Sequence, residues 1–148
     1  MKKCSLLLSF ILLFCMMAPA ALAAPEVYQE VETIHTEFGD LKVTTTTVIH
    51  DTFARSNRKS ADRTRTVEAG DSVIAKITLS ATFGYDGKTA WVISASGSHT
   101  TYDGWSYGSE KIGKSNGTAS LSAALDHSYY AGISVDISMT CSPTGQIS

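Results

Sequence analysis

The chain has 148 residues, with 12 Lys and Arg against 14 Asp and Glu and a formal net charge of −2. This length corresponds to one ordinary domain, and a mildly acidic composition argues against general nucleic-acid binding, which needs a basic surface. Beyond the first residues no apolar segment is long enough to cross a bilayer, so we expect no transmembrane helix.

Residues 1–24 have the pattern of a secretory signal peptide. Lys2 and Lys3 supply its positive start, and an apolar run follows from Leu6 to Met17. That run is too short to span a hydrocarbon core of about 30 Å as a helix. The pattern therefore predicts export rather than membrane insertion.

Small residues near the end of this segment predict cleavage after Ala23 or Ala24, which leaves residues 25–148 as a single secreted domain. Lipid attachment at Cys15 is an alternative, but the site would need a small residue before the cysteine, and Phe14 is large. We therefore expect a released, extracellular protein.

Cleavage would leave Cys141 as the only cysteine, so we expect no internal disulfide. Loss of Lys2 and Lys3 would leave ten basic residues against fourteen acidic ones, a net charge of about −4. The stability of the domain must then come from its hydrophobic core.

The first predicted elements are two strands, Val27–Phe38 and Leu41–Phe53, joined in a hairpin at Gly39-Asp40. A run of threonines in the second arm favours strand over helix, because β-branched side chains restrict χ1. Polar residues at Ala54–Ser60 predict a loop, and Arg63–Ala69 predicts the next strand.

The clearest pattern is the alternation between Val73 and Tyr85, broken only by Ile74, which predicts a strand with one buried and one solvated face. Asp86-Gly87 is a pair typical of tight hairpin turns. The return strand is predicted at Lys88–Ser98. We expect three of its side chains on one side: Trp91, Ile93 and Ala95.

The later segments repeat this pattern. Strands are predicted at Trp105–Lys114, Ala119–Leu125 and Ile133–Cys141, with turns at Asn116-Gly117 and Tyr129–Gly132. Seven or eight short strands without a helical period predict an all-β fold, a two-sheet antiparallel sandwich. The expected likeness to immunoglobulin domains is one of architecture, since their cysteine pair is absent.

Cys141 invites interpretation as a nucleophile with His127 or His99 as its base. Its position argues against this, because Cys141 lies on the same face of its predicted strand as the apolar residues that we expect to face the core. A buried cysteine behaves as a small, inert hydrophobic group. The four histidines lack the spacing of a zinc site, so we expect no catalytic residue, metal or cofactor.

Charge is unevenly distributed along the predicted domain. Five acidic residues come early and five basic residues cluster soon after them: Glu26, Glu30, Glu32, Glu37 and Asp40, then Arg55, Arg58, Lys59, Arg63 and Arg65. The basic residues could contact an anionic wall polymer or lipid headgroups. We favour an acidic strand and a basic segment that attract each other, or charged edges that deter aggregation.

The candidate ligand-binding residues are Tyr102, Asp103, Trp105 and Tyr107. Three aromatic residues and an acid among glycines resemble a sugar-binding surface, where flat rings stack on pyranoses and carboxylates accept hydrogen bonds from hydroxyls. The alternative is that Trp105 closes one end of the core with Tyr102 or Tyr107 packed beside it. We favour this second interpretation for both tryptophans of the domain.

Three stretches carry a resemblance to a known group: Ala81–Ala90, with its Phe-Gly-Tyr-Asp-Gly sequence, Gly104-Trp105, and the ending Met139–Ser148. They resemble small secreted proteins of Gram-positive, Clostridia-like bacteria, which have a hairpin with the pattern TFxYDG and a terminus with the pattern sCxxxGxxS. The resemblance covers about half of the predicted domain. It implies a bacterial, exported β-sandwich and assigns no catalytic residue.

Three functions remain open from the sequence. The first is a non-enzymatic binding or structural protein, with a cell-wall glycan or another protein as its partner. The second is a self-associating or partner-docking module that uses Leu41–Phe53 as an exposed edge strand. The third is a small secreted hydrolase or toxin-like factor.

Overall fold

The computed structural model describes residues 24–50 and 57–148, in which every regular element is a β-strand. The predicted all-β fold is therefore confirmed, whereas the predicted signal peptide lies outside the described residues. No helix occurs in these two ranges, so none there is long and apolar enough to cross a membrane. The strands are β1 (Glu26–Thr36), β2 (Gly39–His50), β3 (Arg58–Ala69), β4 (Ser72–Tyr85), β5 (Ala90–Thr101), β6 (Ser106–Ser115), β7 (Thr118–Asp126) and β8 (Ile133–Thr140).

The strands form two antiparallel sheets, one with the order β1-β2-β3-β4-β5 and the other with the order β6-β7-β8. The smaller sheet packs on the larger one, with β8 over β3 and β4, and with β6 and β7 against β5. This is the predicted two-sheet sandwich. Each strand pairs with its neighbour in the sequence, whereas immunoglobulin domains have Greek-key connections. The likeness to those domains is confined to the layered architecture, as expected.

Alternation along β4, β7 and β8 builds the core. Their inward side chains are buried, and the polar residues between them face solvent on the outside of the sandwich. Each fully buried aliphatic or aromatic side chain contributes about 1.5–3 kcal/mol of transfer free energy. The largest fully buried side chains are Phe83, Leu41, Ile77, Leu79, Leu121, Leu125 and Met139. Cys141 lies among the buried residues, which confirms its predicted inward orientation.

The prediction that Trp91 shares a face with Ala95 is wrong. The register between β4 and β5 shifts at Thr82 and Phe83, which inserts one extra residue into β5. A β-bulge of this kind reverses the facing of every residue beyond it. Trp91 consequently packs over Gly84 on the outer face of the sheet and is partly exposed, rather than buried in the core.

The expectation that the Leu41–Phe53 strand lies at an edge is also wrong. Within the described residues this strand is β2, which ends at His50 and is paired on both sides, with β1 and with β3. The edge position belongs to β1. The last residues of the predicted loop at Ala54–Ser60 belong to β3, which begins at Arg58, and residues 54–56 lie outside the described residues.

Candidate functional site

One end of the sandwich gathers most of the aromatic residues of the loops. Consecutive antiparallel strands bring alternate connections to the same end, so the β1–β2, β3–β4, β5–β6 and β7–β8 connections meet there. We call this region the aromatic end, and its members are Phe38, Tyr102, Trp105, His127, Tyr129 and Tyr130.

A tight turn between β5 and β6 positions Trp105. The backbone N–H of Trp105 donates to the carbonyl oxygen of Tyr102 at 3.0 Å, and the two residues between them have positive φ angles, 53° for Asp103 and 80° for Gly104. Asp and Gly tolerate this left-handed conformation. A Cβ atom at Gly104 would lie 3.1 Å from Nε2 of His127, so the position also favours glycine for lack of space.

Trp105 is only 7% exposed and forms the base of the aromatic end. Its ring centroid lies 5.1 Å from that of His127, 6.0 Å from that of Phe38 and 6.1 Å from that of Tyr130, whose ring is nearly parallel to it at 12°. The interpretation that Trp105 closes the end of the core is therefore confirmed, but the tyrosine ring stacked beside it is that of Tyr130, whereas Tyr107 stacks on His99. Its ring supports other aromatic residues and does not itself form an exposed platform.

His127 ties two loops together through both of its ring nitrogens. Nδ1 accepts a hydrogen bond from the backbone N–H of Tyr129 at 3.1 Å, which makes Nε2 the protonated nitrogen of the neutral ring. Nε2 then donates to the carbonyl oxygen of Asp103 at 3.2 Å. These two bonds hold the β7–β8 loop against the β5–β6 turn.

Three tyrosines make up the exposed surface of the aromatic end. The exposed fractions are 87% for Tyr129, 49% for Tyr130 and 42% for Tyr102. The Tyr130 ring rests on Phe38 and His127, with centroid distances of 5.0 and 4.8 Å, and the Tyr129 ring lies 5.7 Å from His127. Exposed rings thus stand on a packed aromatic base.

The sequence does not identify Tyr129 and Tyr130 as candidate site residues, because the pattern of Tyr129–Gly132 predicts only a reversal of the chain. The available signal was the pair of adjacent tyrosines at a predicted turn, where no core position accounts for either ring. Tyr102 and Asp103 do lie at the aromatic end, as the predicted cluster requires.

Tyr107, the fourth candidate, lies in β6 and has different partners. Its ring stacks on that of His99 at a centroid distance of 3.8 Å, and its hydroxyl donates to Oε2 of Glu110 at 2.5 Å. Burial, with the neighbouring Glu110 carboxylate, raises the pKa of Tyr107 well above its ordinary value. These contacts join β6 to β5 and give Tyr107 a packing role.

Cys141 and His127 lie at opposite ends of the sandwich. The backbone N–H of Cys141 donates to Gly117 at the β6–β7 turn, whereas His127 follows the other end of β7. The buried Cys141 thiol donates to the carbonyl oxygen of Ser142, and burial raises the pKa of this thiol. No group of three potential metal ligands occurs in the described part of the chain.

A groove of about 420 Å³ separates the inner face of β1, β2 and β3 from β8. Arg63 crosses it, because its Nε donates to Oγ1 of Thr47 at 2.8 Å and its Nη1 donates to the carbonyl oxygen of Ser138. Burial lowers the pKa of Arg63, and the nearby Glu30 opposes that effect. Arg65 also pairs with Glu32 at 3.2 Å, which confirms the predicted attraction between an acidic strand and a basic one.

Comparison with known proteins gave no match: no family model, no curated protein and no solved structure matches this chain.

Proposed function

We propose that this protein is a non-enzymatic extracellular binding protein that recognises carbohydrate, such as a cell-wall glycan, through its aromatic end. The observation that carries this proposal is the exposure of Tyr129, Tyr130 and Tyr102 at the end of the sandwich that the buried Trp105 closes. Exposed aromatic rings grouped at one place on a surface are typical of binding sites, whereas single exposed apolar residues need no explanation.

The chemistry of the exposed residues suits a sugar. A tyrosine ring offers an apolar face to the C–H bonds of a pyranose, and its hydroxyl exchanges hydrogen bonds with sugar hydroxyls. The exposed Asp103 side chain adds a carboxylate acceptor at the same end. Tyrosine also loses little conformational entropy on binding, since it has only two side-chain torsions.

The packed base favours binding further, because it holds the loops in place before a ligand arrives. His127 bonds the β7–β8 loop to the β5–β6 turn, and Trp105 and Phe38 fill the space beneath Tyr130. A preformed site avoids the cost of ordering loops upon association.

Two contacts weigh against the hydrolase alternative. Both ring nitrogens of His127 are engaged by backbone groups, and the Cys141 thiol is buried at the other end of the sandwich. A general base must lie within hydrogen-bond reach of the group from which it takes a proton. Neither histidine proposed from the sequence, His99 or His127, has such a partner in Cys141.

The test is binding of residues 25–148 to a glycan array and to purified bacterial cell-wall polysaccharide. We expect Tyr129→Ala combined with Tyr102→Ala to weaken binding at least tenfold, because both rings are exposed and their removal leaves Trp105 buried. Tyr28→Ala is the matched control, since it removes an exposed tyrosine from β1 and should leave glycan binding unchanged.

Equal retention of the wild type and the double variant on every glycan that binds would contradict the proposal, provided that both proteins unfold at the same temperature. Loss of glycan binding in Tyr28→Ala, with the double variant unaffected, would move the site from the aromatic end to β1.

A further inference from the structure

Residues Glu26–Thr33 of β1, at the edge of the larger sheet, are exposed on both faces, whereas Ile34 near the end of the strand packs against the core. Among the described strands, β1 lies beside β2 alone and reaches β3 through the ion pair of Glu32 with Arg65, whereas every other strand packs against a second neighbour. Three large side chains of β1 are well exposed, with fractions of 60% for Val27, 59% for Val31 and 56% for Tyr28. An edge strand of eleven residues with exposed apolar side chains is a template for pairing with another strand.

The two faces of β1 differ in chemistry because side chains alternate. Glu26, Glu30 and Glu32 share the face directed towards the groove, together with Tyr28. The opposite face carries Val27 and Val31, and β2 places Val48 directly beside Val27. A strand added at this edge would meet acidic groups on one face and apolar groups on the other.

A second copy of the chain does not suit this edge. Antiparallel pairing of β1 with itself about a two-fold axis sets residues of the same face opposite each other. Registers centred on Glu30, Val31 or Glu32 pair the most residues, and each sets glutamate against glutamate. Like charges directly opposite one another are destabilising.

We infer that β1 docks an extended segment of another protein in which Lys or Arg alternates with β-branched apolar residues. The basic side chains would face Glu26, Glu30 and Glu32, and the apolar ones would cover Val27 and Val31. Arg65 reaches Glu32 from β3, on the side away from the open edge, so the docked strand approaches the glutamates from the opposite direction. Main-chain hydrogen bonds supply affinity in this mode, and alternate side chains supply specificity.

The probe is the synthetic peptide Lys-Val-Lys-Val-Lys-Val-Lys, with the same peptide carrying Glu in place of Lys for comparison. We expect the lysine peptide to bind residues 25–148 at least tenfold more tightly than the glutamate peptide. It should also slow amide hydrogen exchange along Glu26–Thr36. A lysine peptide of equal composition without alternation should bind less tightly, because its charges cannot all face the glutamates.

Charge reversal at the edge sharpens this test. We expect the double variant Glu26→Lys with Glu30→Lys to bind the glutamate peptide more tightly than the lysine peptide. The single variant Glu26→Lys should shift the preference in the same direction, and it leaves Glu30, which lines the groove, unchanged. The control is Asp71→Lys with Asp126→Lys, which changes the net charge equally at exposed positions that lie outside β1 and outside the groove. This control should keep the preference for lysine.

Three results would overturn the inference. Equal affinity of the wild type for both peptides would show that charge complementarity does not determine binding. Peptide binding that leaves exchange along β1 unchanged would place the site elsewhere. Reversible dimerisation of the wild type in sedimentation experiments, abolished by substitutions in β1, would identify a second copy as the occupant.

Discussion

The two outermost strands of the larger sheet, β1 and β5, have similar lengths and opposite surroundings. β5 is pressed against the smaller sheet: its Val92 N–H donates to the carbonyl oxygen of Asn116 at 3.1 Å, and the ring of its His99 stacks on Tyr107. β1 packs against β2 alone among the described strands, and its Glu32 reaches β3 through the ion pair with Arg65. The comparison shows that alternating apolar and polar side chains are sufficient to form a strand. Burial of that strand requires a second sheet packed against it.

The difference predicts where the free energy of unfolding resides. Apolar side chains contribute mainly when they are removed from water, so the covered side near β5 should dominate stability. β1 is held by its pairing with β2, and an isolated hairpin is only marginally stable in water. Substitutions on the two sides should therefore differ strongly in their effects.

The largest expected effect comes from Leu121→Ala in β7, beneath β5. Leu121 is fully buried, and removal of such a side chain leaves a cavity, so we expect a loss of about 2–5 kcal/mol in the free energy of unfolding. Val31→Ala on β1 should change it by no more than about 0.5 kcal/mol. Urea unfolding curves for both variants provide the measurement. A comparable loss in Val31→Ala would show that β1 is covered in solution.

A smaller effect is expected at Gly97 in β5, where the sheets approach closely. A Cβ atom there would lie 2.5 Å from Oε2 of Glu110 and 2.8 Å from Cδ1 of Leu121, so Gly97→Ala should cost about 1–3 kcal/mol. Gly108→Ala in β6 is the control, because a Cβ atom there meets nothing within 4 Å. Thermal unfolding distinguishes the two variants, and equal melting temperatures would refute the close packing of β5 on β7.

The smallest expected effect is a loss of stability at alkaline pH through Tyr107. Its pKa is raised in the folded protein, so the folded state holds its proton more tightly than the unfolded state does. The resulting stabilisation is complete below the ordinary tyrosine value of 10.0 and is lost as the pH rises above it. Melting temperatures measured from pH 8 to pH 11 should fall less steeply in Tyr107→Phe than in the wild type. Parallel slopes would mean that Tyr107 does not cause the loss.

Much of the fold could be predicted because each strand repeats a two-residue pattern and the turns contain Asp-Gly or Asn-Gly pairs. The hairpin of β4 and β5 joined at Asp86-Gly87 was predicted in this way. Cys141 was placed inside for the same reason. The hairpin and the inward orientation of Cys141 both depend on residues close together in the sequence, so the local pattern is sufficient to predict them.

What the sequence did not reveal depends on contacts between distant residues. Trp91 was assigned to the wrong face because a bulge in β5 leaves no trace in the alternation of the strand itself. β1 is an edge strand because no further described strand pairs with its outer side. The order of strands in a sheet cannot be read from the hydropathy pattern of any one strand. Tyr129 and Tyr130 join the candidate site only because the β7–β8 loop folds next to Trp105.

The sequential strand order also bears on how the chain reaches its folded state. Every paired strand follows its partner directly in the sequence, so each hairpin closes a short stretch of chain, which favours rapid formation. The contacts between β3 and β8 span the longest separation, and we expect the docking of the two sheets to be the slow step. Destabilising changes within the interface between the sheets should then slow refolding, whereas changes in β1 should mainly alter the rate at which that strand detaches.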